Sequence, residues 1–501
     1  MRIFHIALVT LVGLVVTSSP AQAETALEHL QAEPRPVFKE GHTLLPLSRW
    51  GWSLPVETSV ELCEYWGYAL EFGSYATMAA AEKAHDPQSR QGKVCALTAE
   101  NPQRYPLFVI THRPIGSKDF QDHIPESFWL HDAAGKRLEG PAWKCRNPEA
   151  PDELFQRVAE ATVAPLKKIR EKCPIAIVLD GGENGLTELG HSRPYLQKDP
   201  SVVKAKGDLD WWDYYSRQKA RSLLPTMEAI RKALPDRQVY LWYHFGGMPN
   251  WTAPEWSWSY EHMRPVADMP GQSLYFKQFN SGWTGDSDLL TFFLCSYAQA
   301  KEYGDALSYN WVCAGWKETE FSDLDRYMGF LKCLYTAGQV GAVAGYFSYP
   351  KPGFDADLGP DKPHWLEQMI ILGRAHALFS HVDDFIREGD LLAGPEMHKL
   401  VKQRTGKDLP AYEFPTGDPD VRVLARKHRR RSQWLVTAWA AAGEARDAKV
   451  FIDEVGEITL NARPAGSVYR VTAEVKVKFE PPIVKLELLD KNAMRPSMGL
   501  D

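Results

Sequence analysis

The chain has 501 residues, of which 44% are hydrophobic and 24% are charged, and this length is enough for a large domain and a smaller second one. Its 58 Lys and Arg face 64 Asp and Glu, which gives a formal net charge of −6 and argues against nucleic acid as a partner. The seven cysteines include no CxxC pair and no histidines at zinc-finger spacing. We therefore expect no structural metal and no cofactor, and mostly buried free thiols, of which the odd count leaves at least one unpaired.

The first 23 residues have the layout of a secretory signal peptide. Arg2 is followed by an apolar run to Val16 and by Ala21-Gln22-Ala23, a small-residue pattern typical of a cleavage site. The run is shorter than the roughly 20 apolar residues that span a membrane. We expect cleavage near Ala23, a secreted or periplasmic protein without membrane insertion, and a net charge that changes from −6 to −7 with the loss of Arg2.

Between residues 44 and 381, short apolar runs alternate with longer amphipathic stretches. This alternation predicts parallel strands joined by right-handed helical crossovers. Eight repeats favour a (β/α)8 TIM barrel over 24–393, and the alternative is a doubly wound open sheet, although no GxGxxG follows an early strand. The predicted strands are 44–50, 68–72, 106–112, 175–180, 238–244, 273–279, 306–311 and 342–349, and the clearest helices are 151–172, 210–234, 288–303, 322–338 and 363–381.

The pattern changes near Gly394. Segments such as "QWLVTAWAA" and "EITLNA" alternate apolar and polar residues between turns, which predicts an antiparallel β-sandwich over 394–501. The basic run "RKHRRR", residues 426–431, falls in a predicted hairpin. We interpret it as a solvated turn rather than a binding patch.

Polar and aromatic residues gather where the barrel strands are predicted to end. In a TIM barrel the working groups lie at the carboxyl ends of the strands, so these residues are the substrate-binding candidates. They are Trp50, Arg49, Glu71, His112, Arg113, His244, Gln278, Asn280, Asn310, Trp311, Trp256 and Tyr346.

Tryptophan is concentrated in the same part of the chain, with seven of the 17 between residues 242 and 316. Indole faces stack on the C–H faces of sugars while the N–H finds a polar partner. In the segment 248–262 we expect Trp251, Trp256 and Trp258 to face solvent and to form a wall of a cleft. Packing in the barrel core is the alternative for these residues, and it is the interpretation that we prefer for Trp242.

The run "PIAIVLDGGENGL" ends a predicted buried strand in Asp180, two glycines and Glu183. Cleavage of a glycosidic bond needs one carboxylic acid to protonate the leaving oxygen and a second carboxylate about 5 to 9 Å away. An acid ringed by aromatic groups has a raised pKa, which suits a general acid. We therefore predict catalytic roles for Glu183 and Asp180; capping of the loop by Asp180 and a plain surface position for Glu183 are the alternatives.

On these residues, 44–390 resemble the (β/α)8-barrel glycoside hydrolases of exported bacterial proteins. Hydrolases of the β-galactosidase and cellulase superfamily place a Glu acid/base after strand four, and Glu183 matches that position. Asn usually precedes that Glu, whereas here Gly182 precedes it and Asn184 follows. The family's nucleophile is a Glu closing strand seven, and here the first candidate is Glu318. A second resemblance, of "IVLDGG" to the "WFDGG" strand end of α-L-fucosidase-like barrels, implies Asp180 as the nucleophile.

The sequence thus predicts a glycoside hydrolase of a polysaccharide or oligosaccharide, with carbohydrate as the binding partner, a retaining two-carboxylate mechanism and no fixed oligomeric state. Cations at the strand ends add the expectation of an anionic or sulfated sugar; they are Arg49, His112, Arg113, His244, Lys277 and Lys351. Internal pairing of these cations with Glu71, Asp355 or Asp357 is the alternative. A non-catalytic carbohydrate-binding barrel and a metal-dependent hydrolase using His112 and His244 also stay open.

Overall fold

The computed structural model describes residues 25–50, 53–111, 124–141, 144–180, 186–187, 189–242, 258–276, 282–285, 288–315, 323–345, 365–474 and 482–490. Within these ranges, no helix is long and apolar enough to cross a membrane.

Eight parallel strands form the wall of a barrel, and all eight lie where the sequence predicts strands. They are β1 Ser48–Trp50, β2 Leu70–Ala76, β3 Leu107–Thr111, β4 Ile177–Asp180, β5 Val239–Trp242, β6 Ser273–Tyr275, β7 Ser308–Cys313 and β8 Gln339–Gly345. The pairing gives two four-stranded runs, β2-β3-β4-β5 and β1-β8-β7-β6.

Two contacts join these runs into a ring. On one side, Leu47 bridges Tyr68 in the parallel sense. On the other side, the Asp268 N–H donates to the Tyr240 carbonyl over 3.0 Å, and the Tyr240 N–H donates to the Asp268 carboxylate over 2.8 Å. Because Asp268 leads into β6, the ring closes between β5 and β6, and the fold is a (β/α)8 barrel rather than an open sheet.

The barrel lumen is a packed core to which every strand, or the residue beside it, contributes. Side chains alternate across a strand, so one set points inward and the next points toward the helices. The inward set includes Trp50, Ala69, Phe108, Ile177, Leu179, Val239, Leu241, Tyr275, Tyr309, Trp311, Cys313 and Val343. The outward set from β2 to β5 includes Leu70, Phe72, Leu107, Val109, Val178 and Tyr240, and it packs on helix residues such as Leu166 and Met227.

Helices cover the outside of the barrel. They are α1 Ala26–Ala32, α2 Val56–Tyr65, α3 Met78–Lys83, α4 Arg90–Glu100, α5 Asp152–Arg170, α6 Leu189–Leu196, α7 Pro200–Lys206, α8 Trp211–Ala233, α9 Tyr260–Met263, α10 Leu289–Glu302, α11 Leu324–Ala337, α12 Trp365–Ser380, α13 Asp383–Glu388 and α14 Lys399–Thr405. The five helices that the sequence predicts are confirmed to within two residues at each end. Asp210 and Asp323 begin α8 and α11 by accepting hydrogen bonds from free N–H groups of the first turn.

The C-terminal region is an antiparallel two-layer structure, as predicted. A five-stranded sheet has the order β15-β14-β11-β10-β9, and β12 pairs with β13. The bounds are β9 Gly389–Leu391, β10 Val421–His428, β11 Gln433–Ala440, β12 Arg446–Ile452, β13 Gly456–Ala462, β14 Ser467–Glu474 and β15 Ile483–Leu488. The first strand, β9, lies just before the predicted boundary at residue 394.

The outer face of the five-stranded sheet packs on the barrel, chiefly on α11. A glycine makes this approach possible, because a Cβ at Gly329 would lie 2.1 Å from Cδ1 of Trp439. Trp439 is fully buried and its indole N–H donates to the Pro464 carbonyl over 2.9 Å. The two regions therefore share one apolar core.

The basic run 426–431 is a hairpin end whose cations pair within the protein. Lys427 bonds Glu454, and Arg429 makes a two-pronged pair with Asp390 at 2.8 Å per bond. Arg431 pairs with Asp384, and Arg430 is 3.9 Å from Glu388. Residues 429–431 thus lie at the turn, as predicted, whereas 426–428 belong to strand β10.

Arg426 is the buried member of the run, with 1% of its surface exposed. Its guanidinium donates to the carbonyls of Thr336, Phe385 and Ile386 at 2.8 to 3.2 Å. These carbonyls lie at the ends of α11 and α13, where a helix leaves carbonyls without partners and where a cation is favourable. One side chain thus joins the sheet to two barrel helices.

Replacing Arg426 with Met should lower the melting temperature by about 4 °C or more, because three buried carbonyls lose a charged donor. Arg430→Met in the same hairpin is the matched control, since 83% of the Arg430 side chain is exposed, and it should melt like the wild type. Thermal unfolding followed by circular dichroism measures both. Equal melting of the two variants would contradict the bracing role of Arg426.

A buried histidine lies where the N-terminal segment meets α12. His376 is 1% exposed, hydrogen bonds Tyr335 over 2.7 Å and contacts Phe38 and His42 edge to face. Burial lowers the pKa of His376 to about 3, and burial also lowers the pKa of His42. The folded protein therefore holds His376 neutral.

Stability should fall as the pH is lowered below the ordinary histidine pKa of about 6.5. Below that pH the unfolded chain binds a proton that folded His376 does not, which costs up to about 1.4 kcal/mol per pH unit until the folded pKa near 3 is reached. His376→Gln should have a lower melting temperature than wild type at pH 7 and a smaller further loss between pH 7 and pH 5. An equal fall in melting temperature between pH 7 and pH 5 in both proteins would show that His376 does not cause the pH dependence of stability.

Candidate active site

A cavity of about 80 Å³ lies at the carboxyl ends of β1, β2 and β3, the end of a (β/α)8 barrel at which function resides. Three of the predicted substrate-binding residues line it: Arg49, Trp50 and Glu71. The other lining residues are Phe72, Gly73, Tyr75, Phe108 and Ile110. Aromatic rings with one buried ion pair thus bound this space.

Arg49 and Glu71 form that ion pair. The Arg49 Nη2 donates to Glu71 Oε2 over 2.6 Å, and each residue is 8% exposed. Glu71 Oε1 accepts from the Leu54 N–H at 2.7 Å and from Arg90 Nη2 at 2.9 Å. The carboxylate is therefore held between two guanidinium groups, and internal pairing of Arg49 is what the structure shows.

Arg90 extends this cluster over the end of β2. It also donates to the carbonyls of Leu54 and Glu71, at 2.9 and 2.8 Å. Gly73 has φ +94°, and a Cβ there would lie 2.1 Å from Arg90 Nη1, so both the backbone and the space require glycine. Sequence reasoning missed Arg90, because it comes from helix α4 and not from a strand end.

Strand β2 runs to Ala76, beyond the predicted end at 72, with a register shift between Glu71 and Tyr75. Such bulges redirect side chains next to functional sites. The extension brings Tyr75, 41% exposed, to the cavity. Because the segment "GSYATM", residues 73–78, has a polar character, the sequence does not indicate that the strand continues there.

Trp50 and Trp311 meet inside the barrel mouth. Their rings are 4.7 Å apart and T-shaped. In the strand pairing, Trp50 lies opposite Gly345 of β8, and Trp311 lies opposite Val343, two residues earlier on the same strand. Trp311 is therefore one layer nearer the amino end of the strands. Trp50 is half-buried and lines the cavity, whereas Trp311 is 1% exposed and supports Trp50 from below.

Asp180 is the last residue of β4 and is 2% exposed. Leu179 points into the lumen and Val178 points toward the helices, so alternation puts Asp180 on the helix side with Val178. Its carboxylate accepts a hydrogen bond from the Tyr240 hydroxyl at 3.3 Å. Burial and this carboxylate raise the pKa of Tyr240 well above its usual value, which keeps the phenol a donor. This placement favours a structural role for Asp180; its nucleophilic role stays a prediction.

Beyond β4, the described chain resumes at Leu186, which is 2% exposed. The Leu186 carbonyl accepts a hydrogen bond from the buried ammonium of Lys219 on α8. That ammonium lies 5.2 Å from the ring of Trp258. Leu186 is thus fixed to helix α8.

The prediction that Trp258 faces solvent is wrong. Its indole is 3% exposed and stacks on Tyr215 of α8 with the rings 5.7 Å apart. Trp283 is also buried, against Phe276 and Trp439. Both indoles pack against other side chains inside the fold, so they are not available to solvent or to a sugar.

Asn310 lies in the barrel wall with no exposed surface. Its amide nitrogen donates to Ser308 and to Gln339, each at 3.0 Å, and its oxygen accepts from the Gln272 N–H at 3.1 Å. These bonds join β7 to β8 and to the segment before β6. The placement gives Asn310 a structural role and does not support its predicted contact with substrate.

The other predicted site residues lie outside the described residues: Glu183, Glu318, His112, Arg113, His244, Gln278, Asn280, Trp256 and Tyr346. The same holds for Lys277, Lys351 and Trp251. Within the described part of the chain, no group of three or more His, Cys, Asp or Glu is arranged to hold a metal ion.

No protein-family model matches the chain, and no curated protein matches it. Among solved structures, it is similar to an α-amylase from Geobacillus thermoleovorans complexed with acarbose, at 10% identity over 76% of this chain and 80% of that chain, with a TM-score of 0.43. It is also similar to a GH36 α-galactosidase from Geobacillus stearothermophilus in complex with raffinose, at 11% identity over 92% of this chain and 58% of that chain, with a TM-score of 0.43. A third similar structure is an exo-carrageenase GH42 from Bacteroides ovatus, at 9% identity over 88% of this chain and 84% of that chain, with a TM-score of 0.45.

These structural neighbours are glycoside hydrolases of several families. At such identities and TM-scores they assign neither a family nor an activity to this chain. The barrel assignment rests on the strand pairing described above, and the function has to be argued from the site.

Replacing Glu71 with Gln should lower the melting temperature by about 6 °C or more, because Arg49 and Arg90 then lose a buried carboxylate. The matched control is Glu171→Gln, in an exposed pair with Lys168 in which 54% of the Glu171 side chain is accessible. Pairs of that kind contribute about 0 to 1 kcal/mol. Differential scanning calorimetry compares the two variants, and a Glu71 variant that melts with the control would contradict the cluster's structural importance.

Proposed function

We propose that this chain is an exported glycoside hydrolase that cleaves a polysaccharide or oligosaccharide by a retaining two-carboxylate mechanism. The observation that carries the proposal is the cavity of rings and one ion pair at the carboxyl ends of β1 to β3. A glycosidase needs a surface on which sugar rings stack, polar groups that orient hydroxyls, and a carboxylic acid beside them.

Trp50 and Tyr75 provide the stacking surface. Trp50 is fixed from below by Trp311, and Tyr75 is exposed at the cavity edge. A sugar ring placed against them would bury apolar C–H groups at small entropic cost, because the Trp50 indole is already held. A rigid aromatic platform favours binding of sugar faces over binding of a charged metabolite.

The Arg49–Glu71 pair provides a donor and an acceptor side by side. A sugar hydroxyl is both donor and acceptor, so an ion pair of this kind can bind it at two points. Arg49 is the one described member of the cation set expected for an anionic sugar, and Glu71 balances its charge. We therefore propose that Arg49 orients neutral hydroxyls.

The register of β3 and β4 supports the choice of the acid. Ile110, which lines the cavity, is paired with Leu179, and Glu183 comes four residues after Leu179 in the sequence. Strand β4 thus ends one residue beyond a pair with the cavity lining, and Glu183 follows that end by three residues in the sequence. We propose Glu183 as the general acid and Glu318, which follows β7, as the partner carboxylate; the helix-side placement of Asp180 favours Glu318 over Asp180.

Glu183→Gln should lower turnover by at least about 10²-fold with an unchanged melting temperature, as expected for loss of a general acid. The substrate is first found on a panel of neutral and sulfated glycans, and NMR of the first product anomer reports retention. Glu188→Gln, the next glutamate in the chain, is the matched control and should keep wild-type activity. Asp180→Asn should lower the melting temperature and lower turnover less than Glu183→Gln does.

Two outcomes would overturn parts of this proposal. Turnover by Glu183→Gln at the wild-type rate removes Glu183 from the mechanism, and loss of turnover in Asp180→Asn beyond that in Glu183→Gln returns the nucleophile to Asp180. Binding of a glycan without turnover by the wild-type protein would favour the non-catalytic carbohydrate-binding alternative.

A further inference from the structure

Strand β15, Ile483–Leu488, forms one edge of the five-stranded C-terminal sheet. It pairs with β14 on one side, and among the described residues no strand pairs with its other side. An open edge of this kind presents backbone N–H and C=O groups to which another strand can bond. The strand is also apolar for an edge, since Ile483 is 53% exposed and Leu486 is 38% exposed.

The opposite edge of the same sheet is different. It is formed by β9, which has three residues, and two of them, Gly389 and Leu391, are buried. A very short edge strand offers few groups for pairing. The edge that can accept a further strand is therefore β15.

The bonding of β15 to β14 fixes which backbone groups of β15 face outward. Just after the strand, the Leu489 N–H donates to the Val468 carbonyl of β14 over 2.8 Å. Successive residues of an antiparallel strand direct their N–H and C=O groups to opposite sides, so Lys485 and Glu487 also bond toward β14. The residues whose groups face the open edge are Val484, Leu486 and Leu488.

We propose that two copies of this chain associate through β15, paired antiparallel about a two-fold axis at Leu486. The N–H and C=O of Leu486 then bond the same groups of Leu486 in the second copy, and Val484 bonds Leu488 of the second copy. The two five-stranded sheets become one continuous sheet by strand addition. Pro482 has no N–H, so it donates no further bond beyond Val484.

Charge complementarity favours this axis over its neighbours. An axis at Leu486 places Lys485 opposite Glu487 of the second copy, and symmetry makes the same pair a second time. An axis one residue away sets Lys485 against Lys485 or Glu487 against Glu487, which is unfavourable. Both side chains are exposed, and Glu487 already lies 3.1 Å from Arg470 of β14. The Lys485 of the second copy would therefore extend an existing ion pair.

The apolar side chains of β15 favour the same arrangement. Val484 and Leu488 pack at the margin of the apolar cluster between the two sheets of the C-terminal region, and Leu486 lies opposite the buried Val471. Alternation along the strand places all three β15 side chains on one face. In the pair, Leu486 meets Leu486 of the second copy and Val484 meets Leu488. The apolar face thus continues from one copy into the other, and its exposed margin is buried.

Sedimentation velocity of the full chain over a series of concentrations tests the association. We expect the mass of two chains in concentrated protein and the mass of one chain after dilution. Hydrogen exchange, measured residue by residue, tests the surface in the same wild-type samples. The outward N–H groups of Val484, Leu486 and Leu488 should exchange more slowly in concentrated than in dilute protein, whereas those of Lys485 and Glu487 should be protected in both. A single-chain mass at every concentration, or a dimer in which the outward groups keep their fast exchange, overturns the proposal.

Charge reversal tests the position of the axis. Lys485→Glu and Glu487→Lys each set like charges opposite each other twice, so each variant alone should sediment as one chain where the wild type sediments as two. A mixture of the two variants should recover the mass of two chains, because each Glu then faces a Lys. Lys449→Glu on β12 is the matched control, since 72% of the Lys449 side chain is exposed, and it should leave the association unchanged.

Dimers that persist in both charge variants, or a mixture that stays at the mass of one chain, would show that the copies do not pair about Leu486 and would overturn the proposal. Circular dichroism verifies that each variant is folded. The wild-type exchange measurement decides the matter even if a variant fails to fold.

Discussion

The alternation of side chains across a closed eight-stranded wall is the constraint on which the rest of this structure depends. Each strand must place one set of side chains in the lumen and the next set against the helices. Leu179 goes inward and Asp180 outward for this reason alone. Trp311 and Asn310, neighbours in the chain, are likewise separated, one into the lumen and the other into the outer layer of the wall.

The candidate site lies beside one of the two places where few bonds join neighbouring strands of that wall. Strands β1 and β2 are joined by the single bridge between Leu47 and Tyr68, and the Arg49–Glu71 pair connects the same two strands nearer the mouth. A group that closes the wall and lines the cavity therefore serves stability and recognition together. Buried ion pairs are costly to desolvate unless their other polar atoms are satisfied, and Arg90 and the Leu54 N–H supply those bonds.

The C-terminal sheet packs on α11 and α13, helices that follow β7 and β8 in the chain. Its cations are used inside the protein, with Arg426 on helix carbonyls and Arg429 on Asp390. A run of basic residues in a hairpin can thus bond to helix carbonyls and to local acids. The same physical demand, that buried polar groups be paired, decides the roles of Arg49, Arg426 and Asn310.

Periodicity in the sequence was sufficient to predict the barrel strands, the five clearest helices and the antiparallel C-terminal sheet, because burial on one face leaves a repeat of 2 or 3.6 residues. It also placed Arg49, Trp50 and Glu71 near the ends of their strands, where they line a cavity. The sequence did not reveal that Trp258 is buried or that Arg90 joins the site from a helix. Those facts depend on which surfaces meet across the fold, and contacts between residues far apart in the chain leave no periodic signal.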